Sequence, residues 1–338
     1  MNIADCLSKA GYKRFKLHSG EVGIEIETET KADYIIPQMT FWNSERDGSL
    51  RDFGIEYILR SPVSRGKELK SALDEFKEKT SLLNFIQDSV TTSVHVHVNF
   101  LNDTWLTLAN FMTTYYLLEN LLIRFSGPDR LSNLFCLPIC DAEGELEVIK
   151  AFIKNIDKKS YKNLQLPLDY YKYAALNLCN LTRLGTLEVR SMRGVTDTKV
   201  ITDWVNILMA IKDFAKQDGL VPFEILEMYR RQEGEILRTI LPDHHQLLDR
   251  KDRDDLIKKN VWYSAMVARS GRINDSMWGF IKPKPVTKPM LLEFLNQSAN
   301  EMFRQPYNDL PFALKLAVDE YVSRQFEMSR VIFTNEDL

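Results

Sequence analysis

The chain runs to 338 residues, 44% of them hydrophobic, enough to bury a sizeable core in one large domain or two ordinary ones. Its 44 basic and 47 acidic residues nearly cancel to a formal charge of -3, so there is no basic excess for bulk nucleic-acid binding. Cys6, Cys136, Cys140 and Cys179 lack the C-x-x-C spacing of common zinc or redox sites and read as reduced thiols, not as a disulfide framework.

Strand signals dominate residues 21 to 62. Val22 to Thr28 and Ile55 to Leu59 are predicted strands flanking a loop that holds Asp47-Gly48-Ser49. Ser61-Pro62 closes the second, because proline removes a ladder donor and biases the residue before it toward extended backbone. Leu69, Ala72, Leu73 and Phe76 fall at helical spacing, so Lys67 to Lys79 is predicted to be an amphipathic helix covering the sheet. Thr91 to Phe100 is the next strand, Asn102 or Asp103 is expected to cap a helix from Trp105 to Phe125, and Gly127-Pro128 stops it. That helix is the most apolar stretch, yet Asn110, Glu119, Asn120 and Arg124 interrupt it, and the N-terminus has no signal-like apolar run. A soluble cytoplasmic chain without a membrane span is therefore expected.

Further along, a helix is expected over 141 to 156 and a strand pair over Ala174 to Leu181 and Gly185 to Arg190. Thr196 or Asp197 then caps a helix with Val200, Ile201, Trp204, Leu208 and Ile211 on its apolar face. After Gly219-Leu220-Val221-Pro222 the strand signals fade, and helices are predicted at about 223–240, 244–260, 289–304 and 310–326, with Lys282-Pro283-Lys284-Pro285 an extended connector. A boundary near residue 218 divides a catalytic domain, 1–218, from a helical accessory region, 219–338.

Three of these strands share one pattern. Strand side chains switch faces at every residue, so Glu25 and Glu27 lie together opposite Val22, Ile24 and Ile26, His95 lies with His97, and Glu188 with Arg190. In one sheet with helices behind it, the other face would carry three carboxylates, two imidazoles and a guanidinium, a surface suited to metal. Carboxylates such as Glu25 and Glu27, roughly 7 Å apart on one strand, suit hard cations, and two ions held this way can bind a nucleoside triphosphate. Each piece also has a plainer reading. Strand glutamates are common at surfaces, buried histidines are commonly hydrogen-bonded core residues, Glu188 and Arg190 can be an ion pair, and Asp47-Gly48-Ser49 can be an Asx-type turn.

Taken in order, Gly23-Ile24-Glu25-Ile26-Glu27, Asp47-Gly48-Ser49-Leu50 with Gly54-Ile55-Glu56 and Ser61-Pro62, Ser93 to Val98, Lys172-Tyr173 with Leu176-Asn177-Leu178, and Gly185 to Arg190 resemble the phage-type amidoligases, carboxylate-amine ligases with a glutamine synthetase-like fold. The resemblance spans about residues 20 to 215. It implies an α+β fold with a largely antiparallel curved sheet and helices on its core face, here with a C-terminal helical region added. It also implies ATP-dependent amide formation through an acyl phosphate at a site with two magnesium ions. Glu25, Glu27, Glu56, His95 and Glu188 match the family's metal ligands, Arg190 its phosphate-binding arginine, and His97 the histidine toward the nucleotide. Phosphoryl transfer asks for charge neutralisation and positioning more than for a protein nucleophile, which fits this set.

Other residues enter from their positions. Asn99 continues the face of His95 and His97, a nucleotide contact or a structural amide; Asn177, between Leu176 and Leu178, faces the site as a substrate contact or a structural amide. Asp47, as a catalytic group deprotonating an amine, and Ser49, as a substrate contact, stand beside their turn reading, and Arg193 is a further substrate candidate. Expected partners are a small-molecule, peptide or modified-nucleobase carboxylate and an amine, with an oligomer left open. Two rivals remain. A zinc hydrolase would use His95 and His97 and draw a further ligand from His18 or His244-His245, although three glutamates favour magnesium. A non-catalytic nucleotide-binding or virion-associated protein on the same fold should have lost some metal-type side chains, and none is missing from the motifs.

Overall fold

The computed structural model describes residues 2–12, 19–86, 89–127, 130, 133–142, 149, 151, 173–232, 234–270, 288–311 and, within 314–322, all but 316 and 320. Most of the helix expected over 141 to 156 lies outside these residues, as do His18, Lys172 and the connector at 282–285.

Six strands are present among the described residues: β1 Val22–Thr28, β2 Trp42–Arg46, β3 Ile55–Leu59, β4 Ser93–Asn99, β5 Leu176–Asn177 and β6 Thr186–Arg193. They form one antiparallel sheet in the order β2-β3-β1-β4-β6-β5. Four match the expected strands. The edge strand β2 was not expected, because only Trp42 of its five residues is buried and the rest are polar. In place of a long strand over Ala174 to Leu181, β5 has two residues and Leu181 begins a one-turn helix. Gly185 ends that turn at φ 78, and a Cβ there would come within 2.2 Å of the Leu101 side chain, so glycine is needed where the chain enters β6.

The α-helices among the described residues include α1 Ile3–Lys9, α2 Lys67–Thr80, α3 Trp105–Ser126, α4 Leu181–Leu184, α5 Thr198–Ala215, α6 Pro222–Arg231, α7 Ile236–Ile240, α8 Arg253–Ser270 and α9 Lys288–Phe303. On α2, Phe76 packs 5.6 Å from Trp42 and 5.2 Å from Tyr57, and Trp42 Nε1 donates to Ala72 O, which seats the helix behind β2 and β3. Asp197 caps α5 as expected, accepting from Lys199 N. The cap of α3 is Thr104, which accepts from Thr107 N, and not Asn102 or Asp103. The carboxylate of Asp103 is held instead by Lys212 at 2.8 Å and Lys216 at 3.1 Å.

Val22, Ile24, Ile26, Val94, Val96, Val98, Leu187 and Val189 line the helix side of the sheet and are buried in one hydrophobic core, each such side chain contributing roughly 1.5–3 kcal/mol. The core does not break at residue 218. It runs from Ile3 to Ala268, and Ser264 Oγ on α8 donates to Thr113 O on α3. Leu295, Ala299, Leu310, Val318 and Val322 form a second, small cluster. Among the described residues no helix is long and apolar enough to cross a membrane.

Candidate active site

The opposite face of the sheet is polar, and strand register decides what meets there. Glu25 lies opposite His95, Glu27 opposite Glu56, and Gly23 opposite His97, which in turn faces Glu188. Glu45 on the edge strand lies opposite Glu56, so carboxylates from three adjacent strands form one row.

Both histidines reach Glu25: His95 Nδ1 lies 3.0 Å from Oε2 and His97 Nε2 lies 3.1 Å from Oε1. Their other nitrogens are also held, His95 Nε2 by Ser93 Oγ at 2.6 Å and His97 Nδ1 by Thr186 Oγ1 at 3.1 Å. Ser93 has one hydroxyl proton and donates it to Glu27 Oε2 at 2.6 Å, so its oxygen accepts from His95 Nε2–H. The Nδ1 lone pair of His95 then confronts Glu25 Oε2 at 3.0 Å and Glu188 Oε1 at 3.5 Å. Three electron-rich atoms this close call for a cation between them, a proton or a metal ion.

Glu188 is buried and fully engaged. Asn177 and Asn180 donate to Oε2 at 2.8 and 2.6 Å, and Arg190 Nη1 donates to Oε1. A bulge aims Arg190: Val94 pairs with Met192 and Val96 with Val189, so Arg190 and Ser191 both stand opposite His95. Arg130, 1% exposed, closes the bulge by donating to Ser191 O and Arg190 O, both at 3.0 Å. Arg190 Nε is buried without a hydrogen-bond partner among the described residues, a condition that costs about 1–3 kcal/mol until an acceptor arrives.

Charge is unevenly tolerated across the site. Burial opposes ionisation of Glu25, but the His95 and His97 rings beside it outweigh that and hold the carboxyl well below the usual carboxylate range. Burial likewise opposes an imidazolium at His97, but its bond to Glu25 and the charges of Glu25 and Glu188 raise its pKa. At Glu56 nothing compensates. Burial first, then the carboxylates of Glu25, Glu27, Asp47 and Glu45, push its carboxyl up to about 8.

Two groups, Glu25 with His97 and Glu188, and Glu25 with Glu56 and His95, have ligand atoms within 4.8 Å of one another. They share Glu25. Two carboxylates and one imidazole in each fit a hard divalent cation, and the carboxylate repulsion that adds to burial in raising the Glu56 pKa is what such a charge would relieve. Beside Glu25 and His97 opens a cleft of about 310 Å³ walled in part by Ile58, Pro62 and Leu184. Gly23 borders it, and its missing side chain leaves the space above His97 clear.

A family model described as "Putative amidoligase enzyme" matches residues 22–212, over half of the chain and all six strands. The chain belongs to this amidoligase family. Comparison with the curated proteins found no match.

In this amidoligase-family chain, Glu25, Glu27, Glu56, His95, His97, Glu188 and Arg190 stand together on one sheet face. Other expected site residues are placed differently. Asn99 does not turn into the cluster: its Nδ2 donates to Gly20 O at 2.8 Å and its Oδ1 accepts from Leu101 N at 3.0 Å, fixing the backbone where β4 ends. Asn177 contacts Glu188 instead of open space, and its Oδ1 accepts from Cys179 N. Arg193, beyond the bulge, donates to Ser126 O at the end of α3. Asp47 accepts from Ser49 N in the β2–β3 turn, the Asx chemistry of that turn, although its charge is still felt by Glu56; Ser49 is exposed. Each candidate metal group among the described residues holds one histidine and no cysteine, and His245 is bonded to Pro242 O in its own turn.

Ser93, Thr186, Asn180, Arg130 and Glu29 carried no expectation from the sequence as site residues. Ser93 and Thr186 share strand parity with His95 and Glu188, and Glu29 extends the Glu25, Glu27 alternation, so a signal existed for these three. Glu29 is buried and accepts from Arg51 N, Thr91 Oγ1 and Ser89 Oγ at 2.6–2.7 Å, joining two loops at the end of β1. Arg130 and Asn180 lie in aperiodic segments that offer no comparable signal.

Proposed function

We propose that this chain is an ATP-dependent carboxylate-amine ligase with a glutamine synthetase-like arrangement, forming an amide bond through an acyl phosphate at a site for two magnesium ions. The observation that carries the proposal is the pair of three-residue ligand groups sharing Glu25, in a chain of the amidoligase family. Glu25, Glu56, His95, His97 and Glu188, with Glu27 beside them, would hold the ions, which when bound supply neutralising charge to the triphosphate and the phosphoryl group in transfer.

The chain's own groups divide the remaining work. His97 stands at the cleft and faces the nucleotide, whose nucleoside takes the space between Ile58, Pro62 and Leu184. Arg190, with its spare Nε donor, binds oxygens of the transferred phosphoryl group through its planar fork. An oxygen of the acid attacks the γ-phosphorus, the bond to the bridging oxygen breaks and ADP leaves. The amine nitrogen then attacks the acyl carbon, inorganic phosphate leaves, and the amine proton passes to Asp47, whose charge reaches Glu56 but which lies outside both ligand groups. Small-molecule, peptide and modified-nucleobase acids are the candidate substrates.

ADP release with ATP and magnesium, measured against paired panels of acids and amines with products read by mass spectrometry, tests this reading. Release that needs both an acid and an amine, with a product of their summed mass less water, supports it. ATP binding without turnover across the panels favours a non-catalytic binder, and tightly retained stoichiometric zinc with hydrolysis favours the zinc enzyme.

A further inference from the structure

We propose that Asn180, together with Asn177, is a positioning residue that selects which oxygen of Glu188 faces the metal centre. It rests on the ligase reading above. A carboxylate with both oxygens free can bind a cation through either one or through both. Here Asn180 and Asn177 place two N–H donors on Oε2, at 2.6 and 2.8 Å, and Oε1 is the oxygen that lies 3.5 Å from His95 Nδ1. Asn177 is itself fixed, opposite Glu188 in the β5–β6 register and anchored through Oδ1 to Cys179 N at 2.8 Å.

The position of Asn180 is informative. It occupies the N-cap of α4, where an asparagine side chain ordinarily accepts from the first turn of the helix, yet it makes no such bond. Its amide is directed to Glu188 instead. Outer partners of this kind hold a ligand in one orientation, which fixes the direction of its lone pair and raises metal affinity.

The test uses the full chain stripped of metal with chelator and follows Mn²⁺ binding by electron paramagnetic resonance. Asn180→Ala, and Asn180→Leu which keeps the branched outline, should each weaken Mn²⁺ binding about 10- to 100-fold, with Tm in chelator within about 3 °C of the parent. In a Glu188→Ala background, Asn180→Ala should weaken binding no further, because the residue acts through that carboxylate. Unchanged Mn²⁺ affinity in both Asn180 variants, or an equal loss persisting without Glu188, overturns the inference and leaves the ligase reading standing. A collapse of Tm in both variants makes Asn180 a purely structural residue and overturns it too. If the parent binds no Mn²⁺, the inference and the ligase reading fall together.

Discussion

Entry of a divalent cation should expel a proton from Glu56. Burial and the surrounding carboxylates push this carboxyl up to about 8, so about nine in ten molecules carry the proton at pH 7 and about one in ten at pH 9. A ligand oxygen must be ionised, and the charge of a bound dication offsets both the burial and the carboxylate repulsion that raised the pKa, so the proton leaves as the metal enters. Glu56 should then release about 0.9 proton per saturated site at pH 7, about half a proton at pH 8 and about 0.1 at pH 9. The sign follows: apparent metal affinity rises with pH, up to about tenfold per unit below pH 8, and levels off above it. Calorimetric titration with Mg²⁺ in buffers of different ionisation enthalpy counts the protons. Saturated Glu56→Gln should release about 0.9 fewer than the parent at pH 7, while His97, whose pKa is also raised, contributes to both. Equal release from the two proteins would refute the placement of Glu56 as a ligand held protonated by its neighbours.

Three further outcomes are expected. Glu119 is buried on α3, where it accepts from Ile139 N, and burial pushes its carboxyl up to about 8. The folded state keeps a proton that the unfolded state gives up, so the contribution of Glu119 to stability is greatest at low pH and falls as pH rises from 4.5 toward about 8. Glu119→Gln removes that slope, and urea unfolding should show its stability relative to the parent widening by up to about 5 kcal/mol over this range; parallel profiles would contradict it. Arg190→Lys keeps the charge but loses the planar fork, so turnover at saturating ATP should drop roughly 100-fold or more with ATP affinity little changed. If Arg190 serves only to pair with Glu188, lysine substitutes and both stay near parental values. Glu27→Gln should abolish turnover while the melting temperature in chelator holds or rises, since one charge leaves a crowded carboxylate cluster; His95→Ala should abolish turnover with a lower melting temperature, because Ser93 and Glu25 lose a buried partner, and activity retained would make His95 a core residue.

Period-two alternation made the central strands legible, because valine and isoleucine on one face and chemistry on the other is a pattern that survives without tertiary context. Glu25, Glu27, His95, His97, Glu188 and Arg190 could therefore be placed on a common face before any register was known. The edge strand β2 could not be read, since an edge needs only one buried side chain, Trp42, and its polar residues look like loop; Glu45 was missed with it. The bulge that aims Arg190 depends on Arg130, far away in sequence, whose side chain donates to backbone carbonyls. Asn99 shows the limit of parity arguments. It has the right strand parity, but at a strand end the backbone of Gly20 and Leu101 competes for the amide and takes it. The composition change near residue 218 reflects a switch from strands to helices, and α8 still packs into the same core.

Amide formation through an acyl phosphate requires that an oxygen of the acid attack phosphorus. Once an acid and amine pair supporting ADP release is known, the acid is supplied with both carboxylate oxygens labelled as ¹⁸O, and the released phosphate is weighed by mass spectrometry. One labelled oxygen is expected in each inorganic phosphate, with one left in the amide and ADP as the nucleotide product. Phosphate without label, or AMP and pyrophosphate as products, would rule out the acyl phosphate.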